Sequence, residues 1–130
     1  MGSGPLIGII LLPLLMLVLH ELTHVIAARL VSPVSVDLVS VVPLRLDLNF
    51  AETPSVWHTR FIALSPAIVG TFVLVCAVWS GLWAEVQRVE PYFLDHLLIL
   101  DWIVYAHVSP ADLRAGLRPK QALRSREVGQ

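Results

Sequence analysis

Apolar positions along this chain gather into three long runs. The first, Pro5 to Val31, is PLIGIILLPLLMLVLHELTHVIAARLV; its 27 residues exceed the about 20 mainly apolar residues a membrane helix needs, so it must tilt or protrude. The second, Phe61 to Ala84, contains no charged residue. The third, Tyr92 to Val108, is shorter and carries Asp95, His96, Asp101 and His107, so a buried or re-entrant helix rivals a full span there. A signal peptide rivals the first run. Residues 1–19 hold no Lys or Arg, however, and no small-residue cleavage site precedes the histidines, so a retained helix is expected.

Between the first two runs the period changes. In LRLDLNF, Leu44, Leu46, Leu48 and Phe50 alternate strictly with Arg45, Asp47 and Asn49, the period of a half-buried strand. VSVDLVSVV before it alternates less cleanly, and Pro43 divides the two. A small β-hairpin is predicted, with an ordered interfacial loop as the alternative. The expected fold class is an all-α membrane protein: three transmembrane helices at about 5–31, 61–84 and 92–108, with a β-hairpin in the first loop. Residues 1–118 are expected to form one membrane-embedded domain and 119–130 a polar, mobile tail.

Composition strengthens the membrane reading. Apolar residues make up 56% of the chain and charged residues 15%, against about 45–50% and 25% in soluble domains, and mean hydropathy is +0.75. Charge then sets direction. Eight of the nine basic residues fall in or beside the first loop or in the tail, and only Arg88 lies between the second and third runs. The first loop and the C-terminus are therefore expected in the cytoplasm and the N-terminus outside. The basic residues form no patch with interleaved aromatics, which argues against nucleic acid as a partner. A lone cysteine, Cys76, can form no internal disulfide.

One stretch contradicts the greasiness around it. HELTH, His20 to His24, puts three ionisable residues inside the first run, where each unpaired charge at the bilayer centre costs about 2.5–3.5 kcal/mol. Helical geometry sets His20 and His24 one turn apart on one face, with Glu21 about 100° round from His20. This is the H-E-x-x-H arrangement in which two imidazoles hold zinc (Zn2+) and the glutamate acts as general base. Core histidines hydrogen-bonded to Glu21, with no metal, are the bland alternative. A catalytic zinc takes three protein ligands. Candidates for the third are His58, Asp95, His96, Asp101, His107 and Asp112. His20 and His24 lie roughly 10–16 Å from the cytoplasmic end of the first run at helical rise, which excludes Asp95 and His96 at the far end of the third. Asp101 and Asp112 both remain, and His107 lies off their shared face.

HELTHVIAARL in a membrane helix, ALSPAIVG (Ala63 to Gly70) in the second run and SPADL (Ser109 to Leu113) after the third follow one another in an order that resembles the site-two-protease family of intramembrane zinc metalloproteases, in particular the small zincin peptidases of that clan. The likeness spans about residues 8–115, and HELTH is its specific element. It implies zinc ligands His20, His24 and Asp112, with Glu21 as the catalytic base. Two departures stand out: the family's Leu-Asp-Gly is ADLRAG here, and its Gly-Pro is Ser65-Pro66, so Asp101 stays open as the alternative ligand. The function implied is a zinc metalloendopeptidase that cuts a membrane-protein or peptide substrate within or beside the bilayer near the cytoplasmic side. A non-catalytic metal-binding membrane subunit is the alternative. A di-iron oxidase would require more than the five histidines present.

Overall fold

The computed structural model describes residues 4–41, 44–89 and 93–127. It is mostly helical with one small sheet: α1 (Gly4–Val31), β1 (Val34–Val41), β2 (Leu44–Phe50), α2 (Val56–Trp79), α3 (Leu82–Val89), α4 (Phe93–Ala106), α5 (Pro110–Leu117) and α6 (Pro119–Glu127). Two compact units share α1 and α2. One takes α1 up to His20, α2 from Ala67, α3 and α4; the other takes α1 from Glu21, the two strands, α2 up to Pro66, α5 and α6.

In the unit that holds the strands, β1 and β2 pair antiparallel, Val34 opposite Phe50 and Val36 opposite Leu48. The alternation of β2 works as its sequence predicts: Leu46, Leu48 and Phe50 are half-buried, and Asp47 and Asn49 are exposed. The looser pattern of β1 has a physical cause. The register shifts between Leu38 and Ser40, which leaves Val39 as an extra residue and changes the face of everything after it. The expected turn at Pro43 lies outside the described residues. Val34, Leu48 and Phe50 pack with Val31 against a core of Ala27, Ala28 and Ile62, so the sheet's apolar face closes over the end of α1 and the start of α2. The small side chains at 27 and 28 permit that close approach.

In the other unit, Gly70 seats α4 on α2. A Cβ there would meet the Ala106 Cβ at 2.7 Å, and the Trp102 indole N–H donates to the Gly70 carbonyl at 2.9 Å. Gly81, at φ +78°, turns the chain from α2 into α3, a conformation that favours glycine.

Among the described residues, two helices are long and apolar enough to cross a membrane: 23 residues of α1 from Ile9 to Val31, and the 24 residues of α2. The second apolar segment thus begins and ends five residues earlier than the hydrophobic run Phe61–Ala84. Ser55 caps its start by accepting the His58 N–H at 3.2 Å, and Gly81 forces its end. The third run forms α4, a 14-residue helix shorter than the about 20 residues of a full span; the expected start at Tyr92 lies outside the described residues. Most of the expected tail folds as α6, whose first residue, Pro119, is buried.

Candidate metal centre

α1 places His20 and His24 one turn apart and buries both, at 2% and 9% exposure. A buried imidazole needs a partner for its N–H, and the partner decides which nitrogen is left to bind a metal. His24 Nδ1 lies 2.7 Å from the Ile62 carbonyl oxygen. A carbonyl only accepts, so Nδ1 carries the proton and Nε2 presents its lone pair. In an uninterrupted helix the Ile62 carbonyl would accept the N–H of residue 66. That residue is Pro66, which has none, and which is fully buried in α2. The freed carbonyl takes His24 and the Ser65 hydroxyl, the latter at 2.8 Å.

Asp112 comes to His24 from α5. Ser109 caps that helix in a reciprocal capping box: its hydroxyl accepts the Asp112 N–H at 3.1 Å, and its own N–H donates to Asp112 Oδ2 at 3.2 Å. The Ser109 hydroxyl also donates to Oδ2 at 2.6 Å. One carboxylate oxygen is thereby held by two donors, and the other, Oδ1, lies 3.7 Å from His24 Nε2.

His20 is oriented by α4. Its Nδ1–H donates to the Tyr105 carbonyl at 2.7 Å, which makes Nε2 the ring nitrogen that carries the lone pair. Tyr105 is in the last turn of α4, where carbonyls have no intrahelical donor. His107 stacks on the His20 ring, centroids 4.6 Å apart and planes 18° from parallel, and its own Nδ1–H donates to the Val104 carbonyl at 2.6 Å.

His20, His24 and Asp112 each offer one ligand atom, all within 4.8 Å of one another. Two neutral imidazoles and one carboxylate are the donor set that zinc takes in catalytic sites, and ligand atoms on a tetrahedral zinc stand about 3.4 Å apart, close to the separation of His24 and Asp112. In residue type and grouping these three could hold a metal ion such as zinc. Glu21 is half-buried on the neighbouring flank of α1, outside this group.

The other candidates lie elsewhere. Asp101 is buried in α4 at 5% exposure, and its Oδ1 has no hydrogen-bond partner; it is not among the clustered donors. His58 lies in the first turn of α2, and His96 is exposed. The side chain of Asp95 lies outside the described residues. Reading the sequence missed three contributors. Ser109 carried a signal, since S-P-x-D is the spacing of a capping box. The Ile62 carbonyl carried one too, since a proline lies four residues on. The stack of His107 on His20 had none, because it depends on where α4 ends. No family model, no curated protein and no solved structure matches this chain.

Proposed function

We propose that the protein is an intramembrane zinc metalloendopeptidase, as its resemblance to the site-two-protease family suggests. One observation carries the reading. Both imidazoles of HELTH have Nδ1 tied to a backbone carbonyl, so both direct a lone pair from Nε2, and the Asp112 oxygen not held by Ser109 joins them within 4.8 Å. His20, His24 and Asp112 would hold the ion. When bound, zinc supplies a Lewis acid that activates water near neutral pH and polarises the scissile carbonyl. Glu21, one residue along α1 from His20, would accept the attacking water's proton and deliver it to the leaving amine. A helical substrate must unwind to be cut, and the β2 strand would hold it extended by edge pairing.

The setting would be a cell membrane with three crossings, the N-terminus outside and the C-terminus cytoplasmic. Trp57 and Trp79, 74% and 92% exposed, lie 22 residues apart on α2, about 33 Å at helical rise, which suits aromatic anchors at the two faces of a bilayer core about 30 Å thick. With Cys76 replaced by Ser, an impermeant thiol reagent on intact cells should label a cysteine at Gln87 and none at Ser55. Labelling at Ser55 would overturn the orientation.

A second reading, a metal-binding membrane subunit without catalysis, is favoured by the 14-residue length of α4. Glu21→Gln separates the two. It keeps the shape and removes the base, so an enzyme should retain zinc and lose about 10²–10⁴-fold in cleavage of co-expressed single-span proteins. If Glu21→Gln matched wild type in every cellular phenotype that needs His24, the catalytic reading would fail and the subunit reading would replace it.

A further inference from the structure

The way α5 is seated assigns a role to a residue that offers no ligand atom of its own. Asp112 and Gly116 are four residues apart in α5, so they lie one turn apart on the same face. That face is engaged at two levels, by His24 of α1 and by Leu64 of α2. At one, Asp112 Oδ1 lies 3.7 Å from His24 Nε2, whose ring is itself pinned to the Ile62 carbonyl of α2. At the other, Gly116 is buried against Leu64: a Cβ at 116 would meet Leu64 Cδ2 at 3.0 Å and Cγ at 3.1 Å, tight enough that helix or neighbour must give by a few tenths of an ångström. The end of the helix is fastened there as well. The Gly116 carbonyl, one of the orphan acceptors of the last turn, takes the Arg60 Nε–H at 3.1 Å, and the Arg60 guanidinium sits over the Trp57 ring, 5.5 Å from its centroid.

Glycine is a poor helix former, about 1 kcal/mol worse than alanine in a helix interior, and Gly116 occupies the last turn of a short helix. What it provides is a helix surface with nothing between the α5 backbone and Leu64. A side chain there would lift this turn of α5 away from α2, and Asp112, one turn earlier on the same rigid face, would move with it. We infer that Gly116 is a positioning residue of the metal centre: it lets α5 lie flush on Leu64 and so sets the reach of Asp112 to the ion. This inference rests on the metal-centre reading above.

The test is zinc affinity of the full chain in detergent, measured by competition with a chelator, beside thermal melting of the metal-free protein. Gly116→Val should weaken zinc binding by about 10–100-fold, the range for changes that disturb ligand orientation, and Gly116→Ala should weaken it less. Leu64→Ala, which clears the space a new Cβ needs, should restore most of the affinity when combined with either substitution. That rescue is specific to the proposed contact, and the alanine pair serves if the valine variant does not fold. Gly116 variants that lower the metal-free melting temperature yet bind zinc as wild type would make the glycine merely structural and overturn the inference, leaving the metal centre intact. Affinity lost without recovery on Leu64→Ala would overturn it too. A wild-type chain that binds no zinc would overturn the metal centre itself, and this inference with it.

Discussion

Asp112 and Asp101 are both shielded carboxylates, and their surroundings differ sharply. Asp112 has Oδ2 held by the Ser109 hydroxyl and N–H and Oδ1 turned toward His24. Asp101 is more deeply buried in α4 and leaves Oδ1 without a partner. Depth alone does not make a ligand. A carboxylate suited to a metal has one oxygen fixed by its neighbours and the other aimed at a second ligand atom; Asp112 meets that description and Asp101 does not. Sequence position left both aspartates open, because depth and helical face were all it offered.

The same contrast runs through the devices that support the ligands, and substitutions can break it. The largest effect is expected at Pro66. Pro66→Ala restores an N–H that competes with His24 for the Ile62 carbonyl, so zinc affinity should fall by about 10–100-fold. The same change mends the α2 ladder, so the metal-free protein should melt higher; an interior proline costs a helix about 3 kcal/mol. Affinity and stability moving in opposite directions would be the signature. A rise in melting temperature with unchanged zinc affinity would make this anchor dispensable. The smallest effect on zinc is expected at Asp101. Asp101→Leu removes a buried unsatisfied oxygen, which should leave zinc affinity unchanged and stabilise the fold by about 1–3 kcal/mol. Loss of zinc from that variant would mean that the two aspartates had been assigned the wrong way round.

Much of this was legible in residue order. Strict alternation located β2, the 3.6-residue spacing of HELTH put two imidazoles on one helix face, and the composition of the first two runs yielded two helices long enough for a bilayer. The errors have physical reasons. A hydropathy run does not register that Ser55 caps α2 or that Gly81 ends it, so its bounds slid by five residues. The run Tyr92–Val108 ends two residues later than α4 does, because Ser109 and Pro110 start a new helix with its own cap. The polar composition after Pro119 concealed α6, whose polar residues are compatible with a helix. The neighbour that stacks on His20 could not be read at all, since a contact across 87 residues leaves no trace in local pattern.

The central claim is that His20, His24 and Asp112 hold one metal ion. Zinc content of the chain purified in detergent without chelator tests it most directly, wild type beside His24→Ala and Asp112→Ala. The account predicts close to one zinc per chain in wild type and loss of most of it in both variants, because each removes one of three ligands. A wild-type chain free of zinc, or variants that keep the full amount, would contradict it.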